Sequence, residues 1–179
     1  MTKTLDQMRP IYVVGIGLHP YRRASEDSYI TLGLTAVREA LADAGIKFSS
    51  IESVYTGSVL LGMAPTRAML KYLGTTGIPM TQVENASASG STAFRQACLE
   101  VASGISDLSL AIGVDKPGPI RIAPDRADIP DLVSGHIGPP THFALLANEY
   151  MHRHGVSVQD LALISVKNSR NAAQNPFAQ

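Results

Sequence analysis

Tryptophan is missing from this 179-residue sequence, cysteine occurs once, and fifteen basic residues are cancelled by fifteen acidic ones. Each shortage excludes something. A single cysteine, Cys98, allows no internal disulfide framework and no multi-cysteine metal site, the usage expected in a reducing cytoplasm. Zero net charge gives no long-range attraction to nucleic acid or to an anionic membrane, so a charged ligand must be held by local groups. The first residues, MTKTLDQMRP, lack the apolar run of a secretory signal, and no later stretch approaches the ~18 apolar residues of a membrane span. Against these absences, 45% of the residues are hydrophobic and 17% charged, enough apolar material for a globular core. A soluble, cytoplasmic protein is the expectation.

Short apolar runs alternate with amphipathic stretches. Residues 11–17, IYVVGIG, are rich in β-branched side chains and close on Gly15 and Gly17, which predicts a strand buried on both faces. In 29–44, YITLGLTAVREALADA, the residues Ile30, Leu34, Val37 and Leu41 recur at helical spacing, with Ser28 as a cap and Gly45 as a stop. The alternation continues with a strand over 53–59, a helix over 65–73 opened by Pro65, and a strand over 80–85. A helix over 89–104 and an almost wholly apolar strand over 107–115 complete it. This order predicts an α/β layered architecture with a largely parallel sheet and right-handed crossovers. The helix over 89–104 carries few charges and begins Ser, Gly, Ser, Thr, so burial on several sides is expected of it, with Cys98 in the core.

Composition shifts at Lys116. Residues 116–140 hold six of the eleven prolines and no sustained period, which reads as a functional lid or a linker. Helices over 141–154 and 157–174 follow, the second with Ser157 three residues before Asp160 in a capping arrangement. An α/β domain over 1–115 and a loop and helical subdomain over 116–179 are expected.

The segment 83–97, VENASASGSTAFRQA, is the most informative. A strand delivers the chain to a small-residue turn, and the helix that follows presents unpaired N–H groups, which favour an anion, an oxyanion or a nucleophile of lowered pKa. Either Ser87, Ser89 or Ser91 faces such a site, or these serines only cap a buried helix; spacing alone favours the caps, since serine is a preferred cap residue. The five histidines show no metal-ligand spacing, and Gly15-x-Gly17 lacks the third glycine of a dinucleotide fingerprint.

VENASASGSTA resembles the active-site segment of thiolases, in particular sterol-carrier-protein-type thiolases and bacterial lipid-transfer-protein thiolase homologues, where a form such as Asn-x-Cys-x-Ser-Gly is expected. VVGIG, LTAVREALADAGI, SLAIGVDKPG, IGPPTHFALLANEYMHRHGV and VKNSRNAAQNPFAQ are similar too, in family order, so the resemblance runs from about Ile11 to Gln179. It implies a thiolase-like layered fold, the amino-terminal βαβαβ half plus part of the loop domain. It also implies a CoA thioester substrate, with no cofactor bound covalently. Ser87 takes the nucleophile position, Ser89, Gly90, His136 and Gly138 are the candidate substrate-binding residues, and of these His136 and Gly138 are expected near the acyl or pantetheine part. Lys116, Arg121, Arg126, Lys167 and Arg170 are the candidates for the CoA phosphates. A homodimer pairing through the strand over 80–85 is implied, and, as in some bacterial members, a small partner with a zinc ribbon and an OB-fold.

Two departures bear on activity. Serine stands where the family carries cysteine, and Cys98, three helical turns on, cannot replace it. A serine hydroxyl needs an adjacent base to act as a nucleophile, whereas a cysteine at a helix N-terminus is partly thiolate unaided. The second departure is length: the resemblance places the chain's end before the carboxy-terminal half that supplies the family's remaining catalytic groups. Three readings follow. The first is an enzyme of lipid or steroid side-chain metabolism, by thiolase-type acyl transfer or by aldolase-type carbon–carbon cleavage with a base from outside these residues. The second is a non-catalytic acyl-CoA or lipid-binding subunit of a hetero-complex. The third is a thiolase inactivated by a cysteine-to-serine change.

Overall fold

The computed structural model describes residues 7–21, 26–116 and 139–178. The chain divides into two compact units, Met1–Gly118 and Pro119–Gln179.

The first unit is a three-stranded parallel sheet with helices on both faces. It runs α1 (Tyr29–Ala44), a 3₁₀ turn (Phe48–Ser50), β1 (Ser53–Gly57), α2 (Pro65–Leu70), β2 (Met80–Val83), α3 (Ser89–Ser103) and β3 (Ser109–Gly113). The strand order is β2-β1-β3, with Tyr55 of β1 opposite Thr81 on one side and Ala111 on the other. From β1 the chain moves one way to β2 and then back past β1 to β3. Right-handed crossovers in opposite directions put their helices on opposite faces. The faces follow the two-residue period of the strands. Val54, Leu110 and Ile112 join Leu34, Val37 and Leu41 of α1 and Met69 and Leu70 of α2 in one core. Each such side chain, fully buried, contributes about 1.5–3 kcal/mol. The other face meets α3 through Ala93, Ala97 and Ala102, whose small side chains let the helix lie close.

Local signals fix the helix ends. The Ser28 hydroxyl accepts the Thr31 N–H at 3.2 Å, and Gly45 takes φ +67° so that its N–H reaches the last carbonyls of α1. The expected helix over 65–73 stops at Leu70, because bonds from Tyr72 to Met69 and from Leu73 to Leu70 tighten the chain into a turn before Gly74.

The expected strand over 11–17 does not form. Its segment lies along α1 instead, the Ile16 N–H donating to Asp43 at 2.9 Å and the Leu18 N–H to Glu39 at 3.0 Å. Gly15 and Gly17 permit this: a Cβ on either would sit 2.3 or 2.0 Å from the carbonyl oxygen of Ala40 or Ala36. The acceptors that a neighbouring strand would supply come from helix carboxylates, and Tyr12 is left 78% exposed. The expected burial of α3 on several sides is likewise not found. One face is buried, Phe94 is 51% exposed and Cys98 is half-buried rather than in the core.

Beyond the sheet, Arg9 grips the far end of α3. Its guanidinium donates to the carbonyls of Val101 and Ser106 and pairs with Asp107 at 2.6 Å. Under α3, the Tyr55 hydroxyl donates to Glu100 at 2.8 Å, and burial, aided by that carboxylate, raises the Tyr55 pKa.

The second unit contains α4 (Pro139–His154) and α5 (Val158–Ala172). Ser157 and Asp160 form the expected capping box at the start of α5. No described residue of this unit is buried. Among the described residues no helix is long and apolar enough to cross a membrane.

Candidate functional site

In an open parallel sheet, ligands gather at the carboxyl ends of the strands where the chain changes direction. That edge here holds the turn between β2 and α3, with Ser87 at its tip. β2 ends at Val83, and the next residues turn sharply because Ala86 adopts φ +45°, a left-handed conformation that costs a residue bearing a Cβ about 1–2 kcal/mol. Side chains from both sides hold it there. Glu84 accepts the Ala86 N–H at 2.6 Å. The Ser89 hydroxyl accepts the Asn85 N–H and donates to the Ala86 carbonyl, both at 2.8 Å. Asn85 reaches on to the Thr92 hydroxyl at 3.1 Å.

The result is an exposed Ser87 whose side-chain hydroxyl has no hydrogen-bond partner among the described residues, immediately before α3. Ala88 occupies the cap position and has no side-chain acceptor to offer. Consequently the N–H groups of Gly90 and Ser91 have no acceptor among the described residues. Two bare N–H groups and the positive end of the helix dipole favour negative charge on an atom near Ser87. What they do not supply is a base. No histidine, lysine or carboxylate bonds to the Ser87 hydroxyl among the described residues, so the serine is not activated there.

Glycines set the distance between helix and sheet. A Cβ on Gly57 would lie 2.3 Å from the Ser89 carbonyl oxygen and 2.6 Å from the Gly90 nitrogen. Gly90 and Gly113 face each other with similar economy, a Cβ on Gly113 meeting the Gly90 Cα at 3.6 Å. At the end of β3, Asp115 accepts the Val59 and Leu60 N–H groups at 2.8 and 3.0 Å and so shapes the loop that leaves β1.

Of the residues singled out from the sequence, Ser87, Ser89 and Gly90 come together at this turn, with Ser89 only 5% exposed and its hydroxyl already engaged. Lys116 follows Asp115 and donates to the Asp27 carbonyl. Lys167 and Arg170 lie three residues apart on exposed α5 of the second unit. His136, Gly138, Arg121 and Arg126, with most of the proline-rich 116–140 stretch, lie outside the described residues. No group of three or more histidine, cysteine, aspartate or glutamate side chains placed to hold a metal occurs among the described residues. Sequence reading missed Glu84, Gly57, Gly113 and Asp115. A glycine closing an apolar strand is a signal of close backbone approach, and Gly57 and Gly113 both carry it.

Comparison with known proteins identifies the family. A family model described as "Thiolase, N-terminal domain" matches residues 13–179. Sterol carrier protein 2 of Gallus gallus is 32% identical over 187 residues, covering 96% of this chain and 34% of that protein. The benzoylsuccinyl-CoA thiolase subunit BbsB of Thauera aromatica is 33% identical over 176 residues, covering 95% of this chain and 45% of that one. Among solved structures, the Ltp2-ChsH2(DUF35) aldolase superposes with a TM-score of 0.66 at 24% identity, over 92% of this chain and 44% of the other. The Acat5 thiolase of Ascaris suum, in complex with coenzyme A, gives 0.69 at 15% identity over 90% and 47%; at these identities the likeness speaks for the fold. The chain spans less than half the length of these relatives. With the match running through the Ser87 turn and both units, the chain belongs to the thiolase family, whose amino-terminal domain it matches.

Proposed function

We propose that this chain handles acyl-CoA thioesters of lipid or steroid side chains and acts by aldolase-type carbon–carbon cleavage, with Ser87 beside the substrate and not acylated by it. The observation that carries the reading is Ser87 itself, which among the described residues has no base beside it and stands before N–H groups of Gly90 and Ser91 that have no acceptor. A thioester carbonyl oxygen placed against those groups is polarised, and the negative charge of an enolate is stabilised as it forms. For a 3-hydroxyacyl thioester, a base takes the hydroxyl proton and the Cα–Cβ bond breaks. Its electron pair enters the enolate, a proton returns to Cα, and the products are a shortened acyl-CoA and a ketone or aldehyde. No acyl-enzyme is needed, which is why the loss of a cysteine is tolerated. The base comes from outside the described residues. Pairing into a homodimer along β2 and association with a small zinc-ribbon and OB-fold subunit belong to the same proposal. A hetero-subunit arrangement is favoured by the thiolase relative of Thauera aromatica, which is itself named a subunit.

The test compares wild type with Ser87→Cys after incubation with acetyl-CoA and with a long-chain acyl-CoA, read by intact mass and by cleavage of a 3-hydroxyacyl-CoA. Wild type is expected to bind and cleave without an acyl adduct, and Ser87→Cys to gain the adduct. An acyl adduct on wild-type Ser87 would replace this reading with acyl transfer. Binding without cleavage by the complete protein would favour the second reading, a non-catalytic acyl-CoA-binding subunit.

A further inference from the structure

Two observations at the Ser87 turn ask for a common cause: Ala86 stays in the left-handed region although it is not glycine, and Ser89 is buried with a hydroxyl that touches only backbone. We infer that Ser89 is a positioning residue, whose hydroxyl staples the Asn85 N–H to the Ala86 carbonyl and thereby holds Ala86 left-handed and Ser87 at the mouth of α3.

The geometry favours this over direct contact with a substrate. A hydroxyl has one hydrogen to donate, and that of Ser89 goes to the Ala86 carbonyl at 2.8 Å. Its oxygen accepts from Asn85, also at 2.8 Å. The two partners are consecutive residues flanking the left-handed peptide, so the staple closes a short ring around the strained position. Glu84 holds the Ala86 N–H from the solvent side, and Ser89 is the buried half of the clamp. Ser91, two residues further on, donates to the Ala88 carbonyl and touches neither side of the turn. The equivalent serines of the first helical turn thus have separate tasks. Because Ser89 acts on Ala86, its effect on the site passes through backbone conformation and not through charge.

The experiment reads the position of an atom at residue 87 without any substrate, so it stands or falls independently of the acyl-CoA reading. In the full chain, Cys98→Ala removes the native thiol and Ser87→Cys introduces a reporter at the turn. The rate of its alkylation by iodoacetamide is followed against pH. In this background the midpoint is expected below the ordinary thiol value of about 8.5, as for thiols at helix N-termini. Adding Ser89→Ala is expected to raise the midpoint by about half a unit or more, because the thiolate leaves the N–H groups. Adding Ala86→Gly as well is expected to bring it back, since glycine takes left-handed geometry without steric cost. This double change also keeps the test available should Ser89→Ala alone fail to fold. An unchanged midpoint in Ser89→Ala overturns the proposal. So does a raised midpoint that Ala86→Gly fails to lower, since that result would mean that the hydroxyl acts on the reporter directly.

Discussion

Gly57 stands where β1 meets the first turn of α3, and the 2.3 Å that would separate an added Cβ from the Ser89 carbonyl leaves no room for one. The obstacle is backbone on both sides, so no side chain can swing away. Gly57→Ala is therefore expected to push α3 off the sheet at its amino-terminal end and to destabilise the first unit by about 1–3 kcal/mol, the usual cost of overpacking. Urea denaturation checks this; a midpoint like that of wild type would mean that the sheet and helix are not this close in solution. The same crowding explains why a residue as small as serine occupies position 89. Its hydroxyl needs to reach two backbone atoms within a space that Gly57, Gly90 and Gly113 have made narrow.

Among the elements, those whose ends are written in capping residues were the most legible from the sequence. The α1 helix has the expected bounds because Ser28 and Gly45 close it by local hydrogen bonds, and α5 starts at the expected box. The site segment was legible as a strand, a small-residue turn and a helix, but three serines there were equivalent until the left-handed Ala86 separated them. The 11–17 run shows what local pattern cannot reveal. Its β-branched residues and glycines fit a buried strand, yet Asp43 of α1 takes the Ile16 N–H and Glu39 that of Leu18 just beyond the run, and these acceptors are distant in sequence.

Asp160 offers a test at this scale. Hydrogen bonds from Ser157 hold its carboxyl below the usual aspartate value. A folded-state pKa lower than the unfolded one stabilises the first turn of α5 above the ordinary carboxylate range. That contribution is lost as pH falls through the lowered value. Carboxyl titration by NMR is expected to show Asp160 returning toward the ordinary value in Ser157→Ala, with severalfold faster amide exchange at the start of α5. A wild-type titration at the ordinary aspartate value would contradict the capping box.

Across the whole molecule, apolar surface is the conspicuous property. In the first unit Tyr12, Val13, Val14 and Ile16 are exposed in one run, and in the second Phe143, Leu145 and Leu146 are exposed on α4. Where such side chains form one patch, the surface marks a site of association. The 179-residue chain is expected to enhance the fluorescence of an apolar dye while its far-ultraviolet dichroism remains that of an α/β fold, and Tyr12→Ser with Val14→Ser is expected to reduce the enhancement. An enhancement unaffected by the two changes would assign the dye to other surface.

Arg9 joins the beginning of the described chain to the far end of the helix that starts at Ser89. For anyone preparing the protein, this makes the amino terminus a poor place to trim. Shortening the chain past Arg9 would free two carbonyls and one carboxylate at the trailing end of α3, and the helix whose leading end presents Ser87 would lose its anchorage behind.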